Sequence, residues 1–374
     1  MSRFQVLNCG RGGSLNQAFR AREAVMIRQH FRLRFSAGAL IFLATGLGAC
    51  ATSPATTADS LKDLTDYALV YTDGGKATPK SVSISEAADV LKTFDVIFVG
   101  EEHRHPGNHL AQMALFRAIQ ERVPNMSLSM EQFERDVQGV VDNFMAGKIG
   151  EQVLRTKGRA WDNYPVSYRP LVEYAKERGL SVIAAEAPGS VIRCVGEKGA
   201  AFLATMKPEQ REWAAAQLNL NEGAYKDKYM RFAAGDGSHG EDADKDKPKG
   251  PSAAAVRSFE AQVTRDDTMA ESIYLHLQKN PGRKVMHING SFHSESFLGT
   301  AERVQMRDPK LKIAVVNPIQ VKKGGKLEVS TADAKTGTFV LLIGATPKSY
   351  ASMDEMKAAI SEEMKFRSAN KCEL

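Results

Sequence analysis

Val96-Ile97-Phe98-Val99-Gly100-Glu101-Glu102-His103 is the stretch on which the reading of this 374-residue chain turns. Four apolar residues run straight into glycine and three polar groups. A continuous run of β-branched and aromatic residues bounded by glycine reads as a strand buried on both faces, the pattern of parallel sheets. Asn108 is expected to cap a helix over about 110–123. The charged cluster therefore falls where a strand ends and a helix begins, the edge at which open α/β sheets bind ligands. A second run, Lys284-Val285-Met286-His287-Ile288-Asn289, enters Gly290-Ser291-Phe292-His293 and repeats the Gly-x-x-His ending. The expected architecture is α/β: a mostly parallel sheet flanked by helices, in a single large domain with a mobile insertion.

The rest of the chain fits around these two strands. Ser85 is expected to cap a helix over 86–92. The strand 126–130 delivers Glu131, and 181–185 delivers Glu186. Helices are expected over 134–157, 168–178 (stopped by Gly179), most of 190–232, 253–278, near 300–307 and from about 352. Two further strands are expected at 312–318 and 338–343. In the long helix 253–278, Phe259, Val263, Ala270, Ile273, Tyr274 and Leu277 form one apolar face. Asp266 lies within it, and a carboxylate there must be satisfied by a partner. Residues 234–252, rich in Gly, Asp, Lys and Pro, read as a surface insertion; the acidic run 241–246 lacks the ligand order of an EF-hand. The α/β domain is expected over 67–350, with a C-terminal helix and tail at 351–374.

The N-terminus has the composition of an export signal. Arg28, Arg32 and Arg34 precede a short apolar segment, 36–47, which is too short to span a bilayer. It ends in Leu47-Gly48-Ala49-Cys50, the pattern of a bacterial lipoprotein signal in which Cys50 becomes the acylated N-terminus. Residues 1–49 are thus expected to be a signal region, with 1–25 preceding the true start at Met26, and 50–66 a lipid-anchored tether. The expected location is the cell envelope, at the outer membrane facing the periplasm. Seven of the 50 basic residues and one of the 44 acidic ones lie in 1–49, leaving 43 of each. The net charge of +6 therefore belongs to the leader, and nucleic acid is not an expected partner. Beyond Cys50 only Cys194 and Cys372 remain. An exported compartment permits a disulfide between them, with two free thiols as the alternative.

Glu101 with His103, Glu131, Glu186 and His293 all stand at C-terminal strand ends. If the strands are parallel and adjacent, these side chains share one rim. They offer a ligand set for a divalent metal, or an acid–base pair, with Asp266 orienting an imidazole from behind. His105 either enters the same pocket or caps the helix, and His109 is expected to face solvent. Tyr164, Tyr168 and Tyr174 cluster near Trp161. They are core or rim packing, or phenolates able to hold haem iron. Phe292 is a candidate wall for such a flat ligand.

These segments resemble the ChaN-type haem-binding lipoproteins of the haem-binding uptake/Tiki superfamily. The matching pieces, in the family's order, are Val-Gly-Glu-Glu-His at 99–103, Ser-Met-Glu-Gln-Phe at 129–133, Tyr-Arg-Pro-Leu-Val-Glu-Tyr-Ala at 168–175, Val-Ile-Ala-Ala-Glu-Ala-Pro at 182–188, Arg-Asp-Asp-Thr-Met-Ala at 265–270 and Gly-Ser-Phe-His at 290–293. The resemblance implies a membrane-anchored protein of haem and iron uptake, with haem held by tyrosine in a pocket shared by two subunits. The family pattern carries over to Glu101, His103, Glu131, Asp266, Gly290 and His293. Tyr164, Tyr168, His105 and Phe292 are the haem candidates. Glu186 departs from the family, which often has Asn there. The alternative is a metal-dependent hydrolase, Tiki-peptidase-like or erythromycin-esterase-like, using Glu101, His103 and His293. A third reading is an envelope interaction protein whose motif residues only hold loops in place.

Overall fold

In the computed structural model, residues 60–233, 251–369 and 371–374 are described. The leader, Cys50, the tether up to residue 59 and residues 234–250 of the expected insertion lie outside them. Eight strands form one sheet: β1 (Tyr67–Tyr71), β2 (Lys80–Val82), β3 (Val96–Glu101), β4 (Ser127–Glu134), β5 (Val182–Glu186), β6 (Val285–Gly290), β7 (Ile313–Val321) and β8 (Phe339–Gly344). Their order is β2-β1-β8-β7-β3-β6-β4-β5. All pairs from β8 to β5 are parallel, while β1 joins β8 and β2 antiparallel. This is the expected mostly parallel α/β sheet, extended by an antiparallel edge. The four strands that carry the candidate residues, β3, β6, β4 and β5, are consecutive neighbours.

Twelve helices surround it among the described residues: α1 (Ile84–Leu91), α2 (Pro106–Gln120), α3 (Gln138–Met145), α4 (Glu151–Lys157), α5 (Tyr164–Ser167), α6 (Arg169–Glu177), α7 (Gly189–Lys198), α8 (Pro208–Arg211), α9 (Ala224–Ala233), α10 (Ala253–Lys279), α11 (Thr300–Arg307) and α12 (Met353–Ala369). Alternation within each buried strand sorts residues to two cores. Ile97, Val99, Leu128, Met130, Met286 and Ile288 pack with Leu115, Phe116 and Leu171 of α2 and α6. Val96, Phe98, Ile183, Ala185 and Val285 pack with Met269 and Ile273 of α10. Covering both faces explains why these strands carry unbroken apolar runs.

Several local expectations are corrected. Ser83, not Ser85, caps α1, in a reciprocal capping box with Glu86. His105, not Asn108, caps α2; its Nδ1 accepts from the Asn108 backbone N–H. Asn108 instead uses its amide to bridge the Glu102 N–H and the Gly100 carbonyl, fixing the turn that leaves β3. The helical region 134–157 holds α3 and α4, and 212–223, within the stretch expected to be mostly helical, is not helical. Cys194 and Cys372 form a disulfide that ties the C-terminal tail to α7. No helix of the described residues is long and apolar enough to cross a membrane.

Candidate functional site at the C-terminal rim of the sheet

Glu101 closes β3 on the α2 side of the sheet and is 1% exposed. A buried carboxylate needs donors, and four converge on it. Gln112 donates to Oε2 at 2.8 Å, while Tyr168 (2.5 Å), His103 Nδ1 (2.8 Å) and Gln132 (3.5 Å) donate to Oε1. Glu101 thereby orients the His103 ring, whose side chain is 47% exposed and packs edge-on to Trp161 with centroids 5.1 Å apart. Burial lowers the affinity of His103 for a proton, but the hydrogen bond to Glu101 and the charges of Glu131 and Glu101 outweigh it, so its pKa is raised.

A second carboxylate–imidazole pair comes from the other face. Asp266 on α10 is fully buried, and its Oδ1 accepts from His293 Nδ1 and Thr300 Oγ1, each at 2.8 Å. Its Oδ2 accepts from Tyr225. Burial opposes ionisation of Asp266, yet the charge and hydrogen bond of His293 and the charge of Arg303 hold its pKa below the ordinary value. His293 pays for burial too, and Asp266 and Glu131 more than compensate, so its pKa is raised. Gly299 makes this packing feasible. It sits at φ +60°, and a side chain there would meet the His293 carbonyl at 2.5 Å.

Glu131 lies between the pairs. It accepts the Gly290 N–H at 2.6 Å, and His293 Nε2 is 3.7 Å from its Oε1. His103 reaches the same place: a Cβ on Gly290 would stand 2.9 Å from His103 Nε2 and 3.6 Å from Glu131 Oε2. A side chain there would push the His103 ring aside. Burial raises the Glu131 pKa, but His293, Arg265 and His103 together bring it below the ordinary value. Arg265 bridges Glu131 (3.2 Å) and Glu186 (2.7 Å). For Glu186, burial dominates over the attraction of Arg265, and its pKa is pushed up to about 7. The rim therefore holds two imidazoles with raised pKa, each backed by a carboxylate, with Glu131 between them and a Glu186 whose pKa lies near 7.

Glu101, His103, Glu131, Asp266, Glu186 and His293 are thus brought together. The haem candidates sit differently. Tyr164 and Tyr168 are 1% and 0% exposed, and burial, with the Glu101 charge for Tyr168, holds both phenols well above the ordinary range. His105 is buried with Nε2 against the Gly344 carbonyl at 2.6 Å. Phe292 joins an aromatic cluster with Tyr225, Tyr229 and Phe232 on the α9 side. His109, expected in solvent, is buried with Nδ1 against Gln112, because α2 turns that face toward Tyr168. Arg265 and Tyr225 were not anticipated. Arg265 adjoins Asp266 in the quoted motif, so its signal was present; nothing local marks Tyr225.

The rim does not fit a divalent ion. No group of three or more His, Cys, Asp or Glu among the described residues is arranged to hold one. The reason is visible in the partners: the guanidinium of Arg265 already bridges Glu131 and Glu186, the two carboxylates that would hold the ion. A cleft of about 390 Å³ opens at the rim, lined by His103, Arg104, Ala160, Trp161, Asp162 and Asn163. A larger cavity, about 800 Å³, runs along β5 past Arg135, Ser272 and His276 and includes none of the rim residues.

Residues 87–304 match the model of the family described as haem-binding uptake, Tiki superfamily, ChaN. A structure of cofacial haem binding to ChaN of Campylobacter jejuni is similar, with a TM-score of 0.54 at 17% identity over 74% of this chain and 98% of that one. An erythromycin esterase mutant in its open conformation superposes more loosely, with a TM-score of 0.40 at 11% identity over 79% of this chain and 87% of that one. In sequence, the chloroplastic protein RETICULATA-RELATED 5 of Arabidopsis thaliana is 23% identical over 235 residues, 59% of this chain. The chain spans about a third of that relative's length, 30%.

Proposed function

The chain belongs to the haem-binding uptake, Tiki superfamily, ChaN family, and from that membership we propose that it is a haem-binding lipoprotein of iron acquisition. The observation that carries this reading is the family match over 87–304, which spans every residue of the rim from Glu101 to His293. The cleft beside Trp161 supports it: an indole and an alanine supply apolar wall, and His103, Arg104, Asp162 and Asn163 supply polar contacts, the mixture that ligand clefts use. Lipid on Cys50 would hold the protein in the envelope, and a second copy would cover the open side of a bound haem. Titrating the purified chain with haemin tests the binding. A saturable Soret shift at one haem per chain is expected, and its absence removes the reading. The mass of the complex reports whether two chains close on the ligand. Fatty-acid labelling that persists in Cys50→Ser contradicts the anchor.

A second reading, general acid–base hydrolysis without a metal, is favoured by one observation: two carboxylate-backed imidazoles flank Glu131, His293 at 3.7 Å and His103 across the Gly290 backbone. Imidazoles and a carboxylate brought together in this way are the components such chemistry needs. An ester and amide hydrolysis screen decides it. Activity in the wild type that His103→Ala and His293→Ala each abolish supports the reading, and activity that survives both counts against it.

A further inference from the structure

We propose that the edge formed by the C-terminal ends of β7 and β8 is a membrane-facing surface, on which Lys322, Lys323 and Lys348 rest against anionic phospholipid headgroups; this rests on the reading of Cys50 as a lipid anchor. Nine residues, 51–59, separate Cys50 from the first described residue. A chain of that length reaches at most about 35 Å, so the surface that receives it stays within that distance of the bilayer. The chain enters on this edge. The Leu64 carbonyl accepts the Gly107 N–H at 2.8 Å, and a Cβ on Gly344, the last residue of β8, would stand 3.0 Å from the Asp63 carbonyl oxygen.

The same edge is basic. β7 and β8 run parallel and end together, with Val321 opposite Gly344. β7 passes into the turn Lys322-Lys323-Gly324-Gly325, closed by the Gly325 N–H on the Lys322 carbonyl at 2.7 Å, with Gly324 at φ +71°. β8 leaves beside it. The Ala345 N–H donates to the Val321 carbonyl and the Thr346 N–H to the Gln320 side chain, and the chain runs on to Lys348. All these lysines are exposed, as is Lys326, which meets Glu328 at 3.4 Å. Among the described residues, Lys322, Lys323 and Lys348 have no ion pair. Asp63 and Asp66 of the entering segment are tied to the N–H groups of Thr65 and of Lys62 and Asp63. Lys323 acts on Asp63 at longer range: after the Thr65 hydrogen bonds, its charge helps hold that carboxyl below the ordinary value. Tyr350, an aromatic of the kind that settles at a membrane interface, is exposed two residues beyond Lys348. Acyl chains supply the affinity of an anchored protein, so the lysines set its orientation. Each lysine at an anionic surface shifts that balance by roughly fivefold, and three by roughly a hundredfold. β8, β7 and β3 are consecutive parallel neighbours, so this edge and Glu101 share one end of the sheet, two strand spacings or roughly 10 Å apart. His105 links the two, with Nε2 on the Gly344 carbonyl at 2.6 Å. A domain seated on this edge holds the rim beside the lipid surface.

The test uses the full chain, exported and acylated in the cell, placed in vesicles of phosphatidylcholine with or without phosphatidylglycerol. Lysines are labelled with a water-soluble amine reagent and read by peptide mass spectrometry. Lys322, Lys323 and Lys348 are expected to react about fivefold more slowly when phosphatidylglycerol is present. The difference is expected to vanish at about 1 M salt, where charges are screened within roughly 3 Å. Lys279 and Lys310, exposed at the opposite end of the sheet before β6 and β7, are expected to react equally in both vesicles. Lys322→Glu combined with Lys323→Glu, both on an exposed turn, is expected to abolish the protection of Lys348 and to leave circular dichroism and thermal unfolding unchanged. Equal labelling of the three lysines with and without phosphatidylglycerol overturns the proposal, as does protection of Lys279 and Lys310 in their place. A full chain whose intact mass shows no acyl group removes the anchor reading, and this inference with it; an acylated chain without the phosphatidylglycerol effect removes this inference alone.

Discussion

Asp266→Asn removes one charge from a carboxylate on which three donors converge, His293, Thr300 and Tyr225, all inside the α10 interface. Asparagine has nearly the same shape, so the change is electrostatic. Its one acceptor oxygen can serve His293 and Thr300, and the amide must then face the Tyr225 hydroxyl, which can rotate to accept. What is lost is the ion pair with His293. Breaking a buried pair costs about 3–5 kcal/mol, and the retained hydrogen bonds place this case near the lower end, about 3 kcal/mol. The sign with pH follows from the two shifts. The Asp266 pKa is lowered on folding, so its contribution is present above the unfolded value, about 4, and disappears as pH falls through the folded one. The His293 pKa is raised, so its contribution is complete below about 6.5 and disappears as pH rises through the folded value. The wild-type advantage should therefore peak at about pH 5–6. Urea denaturation of both proteins across pH 4–9 measures it, with circular dichroism confirming the fold. A difference under about 0.5 kcal/mol at the peak, or one that does not vary with pH, would refute the pairing as the source of stability.

Glu186 gives an opposite pH signature. Its pKa is raised from 4.5 to about 7, so stability present below the unfolded value is lost as pH rises through 7; the loss is about 3 kcal/mol, the equivalent of that rise. Wild type measured against Glu186→Gln should thus become relatively less stable by that amount between pH 4 and 8, and a flat difference contradicts it. Reduction of Cys194–Cys372, which spans 178 residues, should destabilise the chain by up to about 5 kcal/mol on loop entropy; thermal unfolding with and without reductant, with the double Cys→Ser variant as a control, measures it. Gly290→Ala should displace His103, since the new methyl would stand 2.9 Å from Nε2, at a cost of about 1–3 kcal/mol. An unperturbed His103 resonance in that variant would show that the ring does not lie against Gly290.

The sheet's centre was legible because β3, β4, β5 and β6 each carry an apolar run that ends in a polar residue, and burial on both faces leaves no other reading. Their adjacency follows from the same property, since strands hidden on both sides belong in the middle of a sheet. The rim residues followed from strand ends alone. Four kinds of feature did not. Ser127 and Ser129 alternate with Leu128 and Met130 and look like a solvent face, yet α10 covers them and each meets a histidine, Ser127 with His276 at 2.8 Å and Ser129 with His287 at 2.9 Å. Burial pushes His287 down to about 3, so it is a neutral partner in the core and not a switch. Arg265 was masked by its neighbour, because one carboxylate on an apolar face draws the eye from the cation that bridges the other two. The burial of His109 depends on how α2 and α6 pack over β3, which no local pattern encodes. The disulfide joins residues whose proximity only the folded chain creates.

The claim beneath all of this is that two imidazoles, reached from opposite faces of one sheet, meet at Glu131. Histidine-resolved NMR titration of wild type and Glu131→Gln addresses it directly. Both His103 and His293 owe part of their raised pKa to Glu131. The expected result is that removing this one charge lowers both values together. If only one histidine responds, or neither, the two pairs do not share a site.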